Sequence, residues 1–318
     1  MLLSNDIVVD FLKRNQAISL SVLEKESALP AGLLGKVLRG DRKLNKEHLK
    51  NLRPTLHKYG YREDASAGNV KVISIVNHKG GVGKTTTTIN LGKAFHMMGK
   101  KVLVVDMDSQ GNLSQGLGVD EPEKQVVDAL LKDSPLPIVQ IEEGFDLAPS
   151  DLELAEADLE LVQMIGGFNR LKKVLRPVKD NYDYILIDCP PSLNIITSGA
   201  MVASNSCLVT LQPEIAAIKG LDKILTRIER IQEEINPELK VEGIVFTLVS
   251  KRLVVHQSNM DYVKETLPGF KVFNTIIREN VALTEAQSAQ QDVFSYIPNS
   301  NGAKDYMALA KEILSSDK

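Results

Sequence analysis

The first sixty residues carry apolar side chains at three- and four-residue spacing, which is the period of an amphipathic helix. The pattern predicts four helices, with Pro30 and Gly40 as breaks between them. The predicted helices span residues 5–14, 19–27, 31–38 and 46–59. We therefore predict a small all-α domain over residues 1–64.

The second and third predicted helices are joined by a short turn over residues 28–30, and together they resemble the helix-turn-helix units of phage repressors. In that arrangement four basic residues would be free to meet DNA phosphates or base edges, namely Lys36, Arg39, Arg42 and Lys43. A helical packing or dimerisation module with a solvated basic face explains the same pattern. The sequence leaves both interpretations open.

From residue 70 onward, short β-branched runs alternate with longer amphipathic segments. The runs predict strands over 70–76, 101–106, 184–188, 206–211, 241–248 and 271–277, and helices over 85–98, 215–235 and 301–315. This alternation is typical of an α/β fold, in which a doubly wound, mostly parallel sheet carries helices on its faces. The polar stretch before it has no apolar periodicity, and we predict a linker at residues 65–69 and a second domain over 70–318.

The composition indicates a soluble globular protein of 318 residues, with 43% hydrophobic residues and a formal net charge of -3. We predict neither a membrane span nor a secretory signal, and therefore a cytoplasmic location. The charge is uneven, because residues 1–64 carry about +4 and the remainder about -7. A basic small segment on an acidic body predicts separate functions for the two. Cys189 and Cys207 are expected in the core, and the histidines show no metal-ligand spacing.

The segment KGGVGKT, residues 79–85, lies between a predicted strand and a predicted helix. Its glycines allow successive backbone N–H groups to converge on anionic oxygens at the N-terminus of the helix. Lys84 would bring its charge to the β- and γ-phosphates of a nucleotide, and the Thr85 hydroxyl would ligate Mg²⁺. The sequence therefore predicts a phosphate-binding loop of the P-loop NTPase type.

This loop departs from the usual Walker A sequence, because His78 occupies the position of the first glycine and Lys79 adds a second cation. A cation at the mouth of the loop need not serve the phosphates bound by its own chain. By the logic of an arginine finger, Lys79 would reach across a subunit interface to a nucleotide held by a second copy.

Three aspartates follow predicted strands that would end near the loop. Asp106 ends one strand and Asp108 follows two residues later, while Asp188 ends another strand, as in a Walker B element. Carboxylates beside an anionic ligand repel it unless a metal ion or water mediates. We therefore expect Asp108 to orient the attacking water, Asp106 to lie in the outer shell of Mg²⁺, and Asp188 to hold Mg²⁺ through water.

Five segments resemble, in order, the ParA/Soj branch of the deviant Walker ATPases, over about residues 70–316. They are KGGVGKTTTTINLG, VLVVDMDSQGN, YDYILIDCPPSL, LQPE and AKDYMALAKEIL. The resemblance implies that Lys79 acts across an ATP-bound sandwich dimer, that Asp108 is needed for hydrolysis, and that Pro213 lies against the adenine. Catalysis then falls to Lys79, Lys84 and Asp108, and the ATP site comprises Lys79, Gly80, Gly81, Val82, Gly83, Lys84, Thr85, Thr86 and Pro213.

The resemblance also implies a function in DNA partitioning. Members of this family bind non-specific DNA as ATP-bound homodimers, and a ParB-like partner stimulates hydrolysis, so we expect a cytoplasmic, nucleoid-associated protein with ATP and Mg²⁺ as cofactors. Candidate phosphate contacts in the second domain are Lys219, Lys223, Arg227, Arg230, Lys251 and Arg252. A solvated helix face explains most of these equally well.

Two departures from the family pattern affect these expectations. Ser109 replaces the proline usual after Asp108, which is expected to loosen a switch loop, and residues 277–282 lose two basic positions and gain Arg278. An alternative function is a sequence-specific transcriptional autorepressor whose ATPase domain controls the oligomeric state. A membrane-cycling MinD-type protein is disfavoured, because the last predicted helix is short and of mixed charge. Relatives with a bridging metal cluster need a cysteine before Cys189, and the chain has none.

Overall fold

The computed structural model describes residues 3–15, 18–59 and 70–316, and it divides the chain into two compact units, Met1–Asn69 and Val70–Lys318. Each unit is described by itself. The predicted linker at 65–69 lies outside the described residues, as does the end of the predicted helical domain at 60–64.

The N-terminal unit is built from four helices whose apolar faces share one core. Leu23, Leu34 and Leu52 are fully buried in that core. The buried Glu24 carboxylate accepts hydrogen bonds from the backbone N–H groups of Gly32, at 2.8 Å, and Leu34, at 2.7 Å. It therefore fixes the start of the third helix against the second. The helices are α1 (Asn5–Arg14), α2 (Leu20–Glu26), α3 (Leu33–Leu38) and α4 (Lys46–Lys58).

The second unit contains a seven-stranded sheet in the order β3-β4-β2-β5-β1-β6-β7. All neighbouring strands run parallel except β3 and β4, so the predicted α/β class with a mostly parallel sheet is confirmed. The strands are β1 (Lys71–Val76), β2 (Val102–Asp106), β3 (Val139–Glu142), β4 (Phe145–Ala148), β5 (Tyr184–Asp188), β6 (Ser206–Leu211) and β7 (Lys240–Phe246).

Helices cover both faces of this sheet and bury its alternating side chains in two separate cores. Along β2, Leu103 and Val105 enter one core, and Val102 and Val104 enter the other. The helices are α5 (Lys84–Met97), α6 (Asn112–Gly116), α7 (Val126–Lys132), α8 (Leu154–Gln163), α9 (Arg170–Leu175), α10 (Ile195–Ala203), α11 (Ile215–Lys219), α12 (Leu221–Glu234), α13 (Val254–Thr266), α14 (Val281–Ser288), α15 (Val293–Tyr296) and α16 (Asn301–Ser316).

The structure corrects two sequence predictions. Residues 271–277 form no strand of their own, and this segment follows β7 with isolated bridges such as Ile244 to Val272. The predicted helix over 215–235 is two helices that meet at Gly220. The imidazole of His78 lies there, and a Cβ built on Gly220 would come within 1.8 Å of that ring. Any larger residue at 220 would therefore have to displace the His78 ring.

Candidate functional site

The chemistry-bearing segments meet at one edge of the sheet, at the carboxyl ends of its central strands. β1 leads into the glycine-rich loop, while Asp106 and Asp188 end β2 and β5 and are paired in the sheet register. This edge is where parallel α/β sheets bind ligands. The fold thus brings together the loop and the aspartates that the sequence placed on separate strands.

The loop has the backbone conformation that its glycines allow. Gly81 and Gly83 have φ values of 71° and 77°, in the left-handed region, and Gly83 is the N-cap of α5. The Val82 carbonyl accepts a hydrogen bond from the Thr247 hydroxyl at 2.8 Å. Sequence reasoning missed Thr247, whose only signal is its position directly after β7. Thr247 therefore fixes the loop from the end of β7, two strands away from β1 in the sheet.

Lys84 is buried within the loop, with only 6% of its surface exposed. Its Nζ donates to the carbonyl oxygen of Lys79 at 3.0 Å. Burial lowers the pKa of the Lys84 ammonium, against the opposing effect of the carboxylates Asp188 and Asp108. A buried cation beside converging backbone N–H groups at a helix N-terminus is suited to bind phosphate.

Thr85 and Asp188, the residues predicted to hold Mg²⁺, are in direct contact. The Thr85 hydroxyl donates to Asp188 Oδ2 at 2.7 Å, and the Thr88 hydroxyl is 3.3 Å from Oδ1. Burial, followed by the charge of Asp106, raises the pKa of Asp188 to about 8. Within the described part of the chain, no group of three or more His, Cys, Asp or Glu side chains forms a metal site. The Thr85 hydroxyl and the Asp188 carboxylate thus fit a cation that completes its coordination with phosphate oxygens and water.

Asp106 is fully buried and organises the loop that follows β2. Its Oδ2 accepts from the N–H of Ser114 at 2.9 Å and from the Ser114 hydroxyl at 2.7 Å, and its Oδ1 accepts from the N–H of Asp108 at 3.1 Å. Burial raises the pKa of Asp106 to about 7. Asp108 accepts from the N–H of Gln110 at 3.1 Å. Sequence reasoning missed Ser114, because no motif marks a partner eight residues away.

Lys79 lies at the mouth of the loop and forms an ion pair within its own chain. Its Nζ is 2.9 Å from Glu214 Oε2, and both side chains are partly exposed. The backbone N–H of Lys79 donates to Asn77 Oδ1 at 2.9 Å. Glu214 was not among the predicted site residues, although it belongs to the LQPE segment. The adjacent Pro213 is buried, and its carbonyl accepts from the Asn259 side chain at 2.9 Å.

The basic residues predicted to contact DNA differ in their exposure and in their contacts within the chain. Exposed positions are held by Lys36, Arg39, Arg42 and Lys43 in the N-terminal unit, and by Lys219, Lys223, Arg230, Lys251 and Arg252 in the second unit. Arg39 pairs with Asp41 at 3.1 Å. Arg227 is half-buried, and its Nη2 donates to the Leu193 carbonyl at 3.2 Å.

The basic residue gained in the segment 277–282 is also committed within the chain. Arg278 makes a two-pronged contact with Asp305, with Nη2 to Oδ1 at 2.5 Å and Nε to Oδ2 at 2.9 Å. This pairing raises the pKa of Arg278.

None of the helices in the described part of the chain has the length and apolar character that a membrane span needs.

Comparison with known proteins agrees with this geometry. The profile of the protein family described as "AAA domain" matches residues 70–241. The sporulation initiation inhibitor protein Soj of Bacillus subtilis is 42% identical over 248 residues, which are 76% of this chain and 98% of Soj. The chromosome partitioning protein ParA of Caulobacter vibrioides is 37% identical over 260 residues, covering 80% of this chain and 97% of ParA.

A solved structure has the same fold. Cobyrinic acid a,c-diamide synthase from Mycobacterium smegmatis, with bound ADP and magnesium, is 30% identical and superposes with a TM-score of 0.69, covering 78% of this chain and 97% of that one. One assignment follows from the deviant loop, from the aspartates at the strand ends and from matches that cover nearly the whole length of Soj and ParA. The chain belongs to the ParA/Soj family of partition ATPases, within the ParA/MinD superfamily.

Proposed function

We propose that this protein is a Mg²⁺-dependent ATPase that partitions a plasmid or chromosome locus. It forms an ATP sandwich homodimer, binds DNA without sequence preference and hydrolyses ATP when a ParB-like partner stimulates it. Release from DNA follows hydrolysis, and the protein is accordingly cytoplasmic and nucleoid-associated. The observation that carries the proposal is the buried Lys84 beside the Thr85–Asp188 contact at the loop, with the second lysine, Lys79, at the mouth.

We assign the residue roles from the geometry of the site and, for Pro213, from the resemblance to the family. The backbone of residues 80–86 and the Lys84 ammonium bind the phosphates, and Pro213 borders the adenine. The Thr85 hydroxyl and, through water, Asp106 and Asp188 would hold Mg²⁺, which supplies charge neutralisation at the β- and γ-phosphates. The bound ADP and magnesium in the Mycobacterium smegmatis structure support both cofactors.

Asp108 is the residue that we assign to the attacking water. Its carboxylate sits at the same sheet edge as Lys84 and is nearly buried, at 7% exposure. The hydrogen bond from Gln110 fixes one carboxylate oxygen, Oδ1, in the loop. The carboxylate accepts a hydrogen bond from water and so orients it towards the γ-phosphate.

The substitution Asp108→Ala tests this proposal. We expect a loss of ATP hydrolysis of about 100-fold, with ATP-dependent dimerisation and DNA binding retained, because the loop and Lys84 remain intact. Steady-state phosphate release, light scattering and binding to random-sequence duplex DNA measure the three properties. The exposed Asp261→Asn is the matched control. Hydrolysis at the wild-type rate in Asp108→Ala would remove Asp108 from the reaction.

A second candidate function is transcriptional autorepression through the N-terminal unit. The observation that favours it is the α2–α3 pair pinned by Glu24, with exposed basic residues at its end. The double change Arg42→Glu and Lys43→Glu, compared with Lys311→Glu, separates the two functions. A regulator loses binding to the DNA upstream of its own gene and keeps its affinity for random DNA. Equal loss on both DNAs assigns these residues to non-specific contacts.

A further inference from the structure

Helix α8 has an apolar face in the core and a second apolar face in solvent. Its inner face packs through Leu154, Ala157 and Leu161. The outer face shows Leu159 at 72% exposure and Val162 at 66%. Leu152, just before the helix, is 66% exposed and Ile165, just after it, is fully exposed. An ordinary surface helix carries polar residues on its outer side, so this face lacks the expected pattern.

The spacing of the outer side chains matches a helix–helix interface. The exposed positions 152, 155, 159 and 162 are separated by three, four and three residues, the spacing of a coiled-coil seam. All four positions carry apolar side chains, Leu152, Ala155, Leu159 and Val162. We call these four residues together with Ile165 the α8 stripe. A second helix would bury it by inserting its own side chains between these.

The borders of the α8 stripe are acidic. Five carboxylates lie between residues 151 and 160, and no Lys, Arg or His occurs from 151 to 169. The acids are Asp151, Glu153, Glu156, Asp158 and Glu160. On the neighbouring α7, Lys132 is already paired with Asp128 at 2.7 Å. The α8 face therefore presents an apolar centre with a negative rim.

This charge pattern selects the occupant. Pairing of α8 with the α8 of a second copy would place like-charged rims opposite each other, which costs free energy, and an anionic bilayer is repelled for the same reason. A helix with leucine-like residues at three- and four-residue spacing and Lys or Arg on its flanks satisfies both the stripe and the rim.

The α8 face is connected to the loop of Asp108 by hydrogen bonds. The backbone N–H of Ser150, at the end of β4, donates to the Ser114 hydroxyl at 3.0 Å, and that hydroxyl donates to Asp106 Oδ2. The Ser150 carbonyl also lies 3.0 Å from the position of a Cβ built on Gly111. Only residues 151–153 separate Ser150 from Leu154, the first residue of α8, and the last of them, Glu153, is the N-cap. These bonds form a continuous path from the start of α8 through Ser150, Ser114 and Asp106 to the backbone N–H of Asp108.

We propose that the α8 stripe is the docking surface for a basic amphipathic helix of a partner protein, and that this contact acts on the Asp108 loop through Ser150 and Ser114. The docking surface stands on its own observations. The effect on hydrolysis rests on the function proposed above. Together, the two parts of the proposal assign the partner-dependent step of the ATPase cycle to the α8 stripe.

The test uses the full-length protein and a synthetic 20-residue helical peptide with leucines at three- and four-residue spacing and flanking lysines. Fluorescence anisotropy measures its binding to the wild type, to Leu159→Lys/Val162→Lys, to Glu156→Gln/Glu160→Gln and to the control Met97→Lys, another exposed apolar residue. We expect the lysine pair to weaken binding at least about tenfold and the glutamine pair to weaken it and flatten its salt dependence. The control should bind like the wild type.

Two outcomes overturn the docking surface: no binding of the peptide to the wild type, or equal binding to the wild type and to Leu159→Lys/Val162→Lys. Circular dichroism melts establish that each variant is folded, and Leu159→Ser/Val162→Ser replaces the lysine pair if its melt is lowered. A second readout separates the two proposals. If the wild type hydrolyses no ATP, the proposed function fails, while peptide binding still decides the docking surface. If the peptide binds and hydrolysis stays unchanged, the link through Ser150 and Ser114 is wrong.

Discussion

Two lysines of one loop lie in different environments: Lys84 on the floor of the site and Lys79 at its mouth. On the floor, Lys84 is buried and hydrogen-bonded to the loop backbone, next to the Thr85–Asp188 contact. At the mouth, the Lys79 side chain is 35% exposed and paired with Glu214, whose side chain is 44% exposed. A buried cation is fixed and serves its own loop, whereas a partly exposed ion pair exchanges partners at low cost. We therefore assign the proposed action on a second subunit to Lys79 rather than to Lys84.

The largest effect should come from the floor. We expect Lys84→Ala to lower ATP hydrolysis by more than about 100-fold and to abolish nucleotide binding, because it removes the only buried ammonium that the described loop offers to phosphates. Titration with a fluorescent ATP analogue and steady-state phosphate release measure both losses. Lys311→Ala, an exposed lysine on α16, is the control. Wild-type nucleotide affinity in Lys84→Ala would refute the distinction between floor and mouth.

The mouth should behave differently when its lysine is removed. We expect Lys79→Ala to bind a single nucleotide nearly as the wild type does and to lose ATP-dependent dimerisation and hydrolysis by at least about tenfold, since in the proposed dimer this cation acts on the other subunit's nucleotide. Light scattering with ATP and with ADP measures the dimer. A Lys79→Ala protein that dimerises on ATP and hydrolyses it normally has no trans-acting lysine.

The buried Asp188 on the floor of the site predicts that the stability of the nucleotide-free, Mg²⁺-free protein depends on pH. The pKa of Asp188 is raised from the ordinary 3.8 to about 8, so between these pH values the folded protein binds more protons than the unfolded chain. Stability contributed by this carboxyl is therefore present below about pH 4 and is lost as the pH rises towards 8.

Asp188→Asn should remove this part of the slope. Between pH 5 and pH 8 we expect its Tm to fall by on the order of 10 °C less than that of the wild type, because each pH unit in this window costs the wild type about 1.4 kcal/mol and ~1 kcal/mol shifts Tm by about 2–4 °C in a domain of this size. Calorimetry or circular dichroism melts measure it, with Asp261→Asn as the control. Parallel pH profiles for wild type and Asp188→Asn would contradict the burial of an uncompensated carboxylate at the floor.

The smallest effect concerns Glu214. We expect Glu214→Gln to free Lys79 and to strengthen ATP-dependent dimerisation about two- to fivefold, because a partly exposed ion pair contributes about 0.2–1 kcal/mol. The concentration dependence of light scattering measures it. Combined with Lys79→Ala, the substitution should have no further effect. A Glu214→Gln protein that dimerises more weakly than the wild type would make Glu214 part of the interface itself.

The sequence was most informative where a strand is buried on both sides. The predicted bounds of β5 and β6, over 184–188 and 206–211, agree with the structure, because parallel strands covered by helices read as unbroken apolar runs. β3 and β4 were missed, since each has only four residues and β3 is barely covered. The wrong strand at 271–277 has a strand-like composition but pairs only through isolated bridges.

Within the site, the motifs predicted the loop and its aspartates, but not their supports. Thr247, Ser114 and Glu214 each act on a motif residue from another element or from the far side of a loop. Single residues of these common types carry no periodic signal, and their importance arises only from three-dimensional proximity. This is why contacts that tune a site are harder to read from sequence than the residues that perform the chemistry.

His78 and Gly220 together form a pair of complementary sizes. The large ring stands where the usual loop has glycine, and the glycine stands where the ring needs space, with 1.8 Å between the ring and the position of an added Cβ. The two positions are in contact although they lie 142 residues apart in the sequence, so we expect substitutions at them to be energetically coupled. Conversion of this loop to the ordinary Walker A sequence therefore calls for both residues to be exchanged together. His78→Gly alone leaves a void beside α12, and Gly220→Ala alone displaces the imidazole.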